Sequence, residues 1–295
     1  MKVVVANKNM RIYLALAFDV RSDMMSKNAE FHADAHFCSL AKLACDSALE
    51  DVKTVSNEYT TKKTYNPNAG MLDLRGVEKN EDPFSFFRLS ILENGNMVHL
   101  PNLHESLSES AFLPLQIASE IPLNIREITK VFPAATKETI ENTLSYCNAA
   151  AIKGQVKSCP RSLEEMISFS KSALGGKKLI SLTSKSNQGS NTNLMVKNVK
   201  KFNTGRIVAC HEAFLPFAAY FCHSLSSTSL YSVDLVEPKT GALINTLLAI
   251  CHMDTSPWPE DHVAFKILKL RPGQGEACHW FTQVDLAWIL DRESM

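Results

Sequence analysis

Four of the eight cysteines in this 295-residue chain stand directly before a histidine, at Cys210-His211, Cys222-His223, Cys251-His252 and Cys278-His279. Histidine occurs only nine times, so composition does not account for four such dipeptides. Three of them close apolar, strand-like runs: Ile207 to Cys210, Ala218 to Cys222 and Leu247 to Cys251. Adjacent side chains on a strand point to opposite faces. If these strands share a sheet, the cysteines gather on one side for disulfides and the histidines gather on the other. Four convergent neutral imidazoles then form a metal site. The competing reading gives the histidines to sheet hydrogen bonds and the cysteines to two disulfides, with no metal.

The elements that must hold these residues follow from periodicity. Apolar residues at helical spacing run from about Ala29 to Val55, and the polar stretch from Asn57 to Asn80, with Pro67, Gly70 and Gly76, reads as a linker. Helices are expected over Phe112 to Ile121, Ile125 to Phe132, Lys137 to Cys147 and Ser162 to Leu174. The last has Ser162 as N-cap, Glu165 three residues on as in a capping box, and Gly175-Gly176 as its stop. From Lys177 the texture turns to strands, Leu179 to Thr183 and Leu194 to Val199. Alternation at Tyr231, Val233 and Leu235, and again at Val263, Phe265 and Ile267, predicts half-buried strands. Helices followed by strands predict an α+β fold in which N-terminal helices pack on a C-terminal antiparallel β-rich region carrying the four dipeptides. The expected division is residues 1–82 as an N-terminal segment and linker, 83–290 as the main domain and 291–295 as a tail.

Composition sets outer bounds. At 45% hydrophobic and 21% charged the chain buries a core, which excludes a disordered protein. Lys plus Arg number 31 and Asp plus Glu number 31, and residues 1–82 divide as eleven basic and twelve acidic, so no charge excess draws it to nucleic acid. No stretch has the apolar length of a membrane span. The apolar run Ile12 to Phe18 follows Met10-Arg11, lacks a clear Ala-x-Ala site and reads as a short core element. There is no Asn-x-Ser/Thr sequon, no Gly-x-Ser-x-Gly elbow, no Walker loop and no dinucleotide fingerprint.

Ten residues separate His211 from Cys222, twenty-seven separate His223 from Cys251, and twenty-five separate His252 from Cys278. This spacing resembles the plant BURP domain, whose mark is four CH dipeptides at these intervals. The resemblance extends to His252-Met253-Asp254-Thr255-Ser256-Pro257-Trp258, Asp261-His262-Val263-Ala264-Phe265 and Cys278-His279-Trp280, and upstream to Phe86-Phe87 and Phe112-Leu113-Pro114. Phe86-Phe87-Arg88, Phe112-Leu113-Pro114 and Cys278-His279-Trp280 look most like members similar to the beta subunit of polygalacturonase; His252 to Ser256 resembles seed and embryo members. Glu93-Asn94 stands where the family commonly has His-Pro, and the weak leader-like start is a second departure.

The resemblance implies a secretory-pathway protein of the extracellular space, cell wall or vacuole. Some members are copper-dependent peptide cyclases that crosslink a Trp or Tyr side chain. Copper suits imidazole donors, zinc is the alternative ion, and no metal is the third case. The expected ligands are His211, His223, His252 and His279, with His262 in reserve. Asp254 is the expected hydrogen-bond partner for a ligating imidazole, or else the cap of the turn from Thr255 to Pro259. Cys147 and Cys159 enclose a loop short enough for one disulfide, while Cys210, Cys222, Cys251 and Cys278 allow three pairings. If the expected helix forms, Cys38 and Cys45 lie about 10 Å apart along its axis, beyond disulfide reach. Trp258, Trp280 and Trp288 read as core.

Self-modifying cyclases carry a glutamine-led core peptide in the same chain. Here the first glutamine is Gln116 and residues 1–82 hold no tryptophan. The expected function is therefore a non-catalytic wall or seed and reproductive development factor, with wall polysaccharide, pectin or a wall hydrolase such as polygalacturonase as partner. The alternative is a copper cyclase acting on a peptide substrate in trans.

Overall fold

The computed structural model describes residues 4–5, 86–100 and 112–291, apart from 134, 136, 177, 187–191 and 283. The expected helix over 29–55, the linker over 57–80, the apolar run at 12–18 and Cys38 and Cys45 lie outside the described residues.

In chain order the elements are β1 (Val4–Val5), β2 (Phe86–Phe87), a 3-10 turn (Leu89–Leu92), β3 (Met97–Leu100), α1 (Leu115–Glu120), α2 (Ile125–Val131), α3 (Lys137–Asn148), β4 (Gln155–Ser158), α4 (Leu163–Leu174), β5 (Leu179–Leu182), β6 (Lys185–Ser186), β7 (Thr192–Lys201), β8 (Val208–Phe214), β9 (Ala218–Leu225), β10 (Thr228–Val236), β11 (Leu243–His252), α5 (Val263–Leu268), β12 (Ala277–Trp280) and β13 (Leu286–Leu290). They form two sheets. One runs β1-β5-β13-β8-β9-β4, the other β2-β12-β11-β10-β7-β3 with β6 also paired to β11. Apart from the short parallel pair of β1 with β5, every ladder is antiparallel.

Side-chain alternation sorts the core into layers. On one face of the first sheet, Val208, Cys210, Cys222 and Trp288 pack against Met166, Ile167, Ala173 and Leu174 of α4. On the opposite face Ala213 and Ala219, with Phe217, meet Ala118, Ile128 and Ile140 of α1 to α3 and Phe132 at the end of α2. Farther along that same face Ala209, Ala287 and Ile289 pack with Leu230, Leu248 and Ile250 of the second sheet. The far face of the second sheet buries Val196, Val233, Leu235, Leu247, Cys251, Cys278 and Trp280. Leu247 to His252 are buried consecutively because β11 is covered on both faces, which is why its sequence is a continuous apolar run rather than an alternation.

The expected α+β arrangement of N-terminal helices on a C-terminal β region does not hold. The fold is mostly β, with its helices interspersed. β2 and β3 precede the helices, β4 lies between α3 and α4, and α5 separates β11 from β12. The strands that sequence periodicity overlooks are two to four residues long, too short to show a period, and they draw their stability from distant partners: Phe86 and Phe87 pair with His279 and Cys278. The expected strand at Val263, Phe265 and Ile267 is instead α5. Val263, Ala264 and Phe265 are all buried, so two faces are covered, and over six residues the alternation does not separate a strand from a buried helical turn. By contrast α4 starts and stops as expected. Ser162 Oγ accepts from the Glu165 N–H, and Gly175 ends the helix at φ 71°, a left-handed conformation suited to glycine.

Candidate metal centre

His211 and His223 stand on neighbouring strands of the first sheet, and His252 and His279 on neighbouring strands of the second. Each Cys-His dipeptide splits across its sheet. Cys210 lies directly opposite Cys222, and Cys251 opposite Cys278, and each pair is a disulfide with Cα atoms 4.0 Å apart. Both disulfides sit on the faces turned away from the other sheet, among the clusters that cover the sandwich outside. The histidines therefore face one another across the interior. Cys147 and Cys159 form a third disulfide.

The four rings make a closed circuit. Centroids are 5.5 Å apart for His211 and His223, 5.9 Å for His223 and His252, 5.7 Å for His252 and His279, and 5.5 Å for His279 and His211. No imidazole is more than 5% exposed. Phe281 packs against His211 and His279, and Trp258 packs edge-on to His252. A cavity of about 20 Å³ opens between His223, His252, His279, Trp258 and His262, with room for one water or one ion.

Hydrogen bonds fix how three of the rings present themselves. His211 Nδ1 lies 3.2 Å from Asp285 Oδ1. A carboxylate only accepts, so Nδ1 carries a proton, and in the neutral form of the ring Nε2 is left as a lone pair. His279 Nδ1 is 3.3 Å from the Trp280 carbonyl, which likewise requires a proton on Nδ1. His252 Nδ1 is 3.4 Å from Thr228 Oγ1, whose hydroxyl already donates to the Leu225 carbonyl and so accepts from the ring. His211 Nε2 and His223 Nδ1 are buried without a hydrogen-bond partner. Buried ring nitrogens without a partner are costly unless something fills the place beside them.

Electrostatics keep His223, His252 and His279 neutral. Burial, reinforced by His211 and His279, holds His223 well below the ordinary imidazole range, and burial with His279 and His223 does the same to His252. Burial and His211 push His279 down to about 3. For Asp285 burial acts upward, but His211 and the Thr282 backbone and hydroxyl outweigh it, and the carboxyl stays below its usual value.

Residues with free imidazole lone pairs fit a copper or zinc ion. Four imidazoles bound to one ion at zinc-like distances have neighbouring centroids about 5 Å apart. The observed circuit is slightly wider, and among the described residues no three His, Cys, Asp or Glu groups already stand as a finished ligand set. His262 belongs to the wall. Its Nδ1 accepts the Ala264 N–H as the N-cap of α5, so its neutral ring carries the proton on Nε2 and has no lone pair to give. Burial lowers it to about 3, and its ring packs 4.3 Å from that of Trp258.

Asp254 is exposed and accepts the Ser256 N–H, capping the turn after β11. The carboxylate beside the imidazoles is Asp285, which sequence reasoning does not single out. Its signal is present as one acid in the apolar stretch from Val284 to Leu290, six residues after His279. Trp258, Trp280 and Trp288 are all buried.

A two-sheet, disulfide-stapled sandwich with an imidazole circuit at its centre defines the class of protein. Residues 85–290 match the BURP domain, more than two thirds of the chain, and the chain belongs to that family. It is 34% identical over 256 residues to the polygalacturonase-1 non-catalytic subunit beta of Solanum lycopersicum, covering 82% of this chain and 40% of that protein. It is 37% identical over 224 residues to polygalacturonase 1 beta-like protein 1 of Arabidopsis thaliana, covering 72% and 36%. With BURP domain-containing protein 16 of Oryza sativa subsp. japonica the identity is 34% over 221 residues, covering 72% and 64%. The chain spans well under half the length of the first two.

Proposed function

We propose that this BURP protein is a non-catalytic companion of a polygalacturonase-type wall hydrolase, carried through the secretory pathway, whose four histidines hold a copper or zinc ion as an internal fastening between the sheets. The observation that carries the reading is the buried imidazole circuit. Its rings are at most 5% exposed, and the adjoining cavity of about 20 Å³ has room for one water or one ion. Rings covered to this extent favour a structural ion over crosslinking of a peptide substrate in trans. When bound, copper supplies one-electron chemistry and zinc supplies none; His211, His223, His252 and His279 hold either ion in place. The polygalacturonase subunits among the relatives favour a hydrolase partner, and the three disulfides among the described residues favour an oxidising compartment. Among the described residues no helix is long and apolar enough to cross a membrane.

The test joins two readouts on the purified chain and on a His211→Ala, His223→Ala, His252→Ala, His279→Ala variant. Titration with Cu(II) followed by electron paramagnetic resonance should give a one-to-one nitrogen-coordinated signal that the variant lacks. Co-elution with a polygalacturonase should occur with the wild type and survive in any variant preparation that remains folded. No nitrogen-coordinated signal would remove the metal, and no co-elution would remove the hydrolase.

A further inference from the structure

We propose that Asp285 is the positioning residue of the centre, committing His211 to offer Nε2 as its ligand atom. The inference rests on the metal-binding reading above and adds the residue that orients it. Asp285 is 5% exposed and both its oxygens are committed. Oδ1 faces His211 Nδ1 at 3.2 Å, while Oδ2 accepts from the Thr282 backbone N–H at 2.7 Å and from the Thr282 hydroxyl at 2.9 Å. The carboxylate therefore cannot turn away without abandoning two donors. Its orientation is set by the Thr282 turn between β12 and β13, and the imidazole orientation is set by the carboxylate. The atom left over on that ring, Nε2, is buried with no partner. A lone pair held at a buried site, on a ring fixed by a carboxylate behind it, is how proteins prepare histidine for a metal. The buried negative charge also offsets the charge an ion would bring.

No neutral side chain reproduces this. An asparagine at 285 can offer its carbonyl oxygen to His211 Nδ1–H only by turning its amide NH₂ toward the Thr282 N–H and hydroxyl, where the backbone N–H is a second donor. In the opposite orientation the NH₂ faces His211 Nδ1, drives the ring proton to Nε2 and removes the ligand atom. Asp285→Asn thus separates positioning from mere packing, because volume is conserved and proton placement is not.

The experiment is long-range 15N–1H correlation spectroscopy of the metal-free protein, followed by titration with Cu(II) and with Zn(II), on the wild type and Asp285→Asn. The wild type should show His211 as the Nδ1–H tautomer. Asp285→Asn should lose that pure tautomer and bind both ions 10- to 100-fold more weakly, while unfolding cooperatively with the Cys147–Cys159, Cys210–Cys222 and Cys251–Cys278 disulfides intact. An Nε2–H tautomer or an imidazolium at His211 in the wild type would overturn the proposal, as would unchanged affinity in Asp285→Asn. The wild-type spectrum needs neither variant nor metal. It judges the role of Asp285 even where the variant misfolds, and a wild type that shows the Nδ1–H tautomer but binds neither ion would sink the metal reading separately.

Discussion

At the residue scale, the chemistry of each histidine here is set by what its Nδ1 touches. His211, His252 and His279 present Nδ1 to acceptors, whereas His262 presents Nδ1 to a donor, the Ala264 N–H. One residue type thus supplies both candidate ligands and a helix cap. His262→Asn should keep α5, since asparagine is a good N-cap, and His262→Ala should cost about 1 kcal/mol for the lost cap plus the ring packing against Trp258. Neither should change Cu(II) affinity, and a large loss in His262→Asn, read by the same titration, would return His262 to the ligand set. The dipeptides make the imidazole circuit legible in the sequence itself, because alternation along a strand is a fixed geometric rule. Asp285 is not legible in that way. It belongs to no motif, and its partnership with His211 spans 74 positions of the chain.

Among the elements, the two dipeptide disulfides join strands whose next residues are the histidines, so they set the spacing of the imidazoles as well as stabilising the fold. Removing Cys251 and Cys278 together as alanines opens a link across 27 positions and should cost about 3–4 kcal/mol, with Cys210 and Cys222, 12 apart, costing somewhat less. Both double variants should also bind Cu(II) more weakly, which chemical denaturation and titration measure side by side. If stability fell and affinity did not, the disulfides would be staples only. Local signals explain which elements are legible in the sequence. The cap at Ser162 and the glycine stop at Gly175 define α4 within its own residues. β2 has two residues and exists because β12 lies beside it. The α5 segment misleads for a different reason, since three consecutive buried residues blur both periodicities.

For the whole molecule, the buried neutral imidazoles make stability depend on pH. His262 and His279 are lowered to about 3, and His223 and His252 lie well below 6.5. The unfolded chain takes up protons near pH 6.5 and the native chain does not. Stability is therefore full above about pH 6.5 and falls as pH drops toward 3, each ring contributing up to about 1.4 kcal/mol per pH unit. Urea unfolding of the metal-free protein at pH 7, 6, 5 and 4 should show this decline, and a flat profile would mean the rings are not held neutral. A second decline lies lower. Glu276 is brought down to about 2 by its hydrogen bonds with Arg88, which tie the turn after β2 to β12, so that contact holds above about pH 4.5 and is lost as pH falls through about 2. The overall arrangement is the least legible level. Composition and texture indicate helices then strands, but sheet membership is decided by pairings such as Phe86 with His279 that no local window contains.

The one-residue offset between each cysteine and its histidine makes oxidation a proofreading step for strand register. If β9 slipped by a single position against β8, Cys222 would move to the inner face and His223 to the outer, and sulfur would stand where nitrogen belongs. Thiols are strong competitors for the same ions, so a metal arriving before the cysteines are paired could fasten the wrong alignment. A closed Cys210–Cys222 link is possible only when the two cysteines stand opposite each other, and it withdraws both sulfurs from competition. For a centre that takes up a metal, the dipeptide thereby favours one order of assembly: sulfur chemistry first, then metal loading.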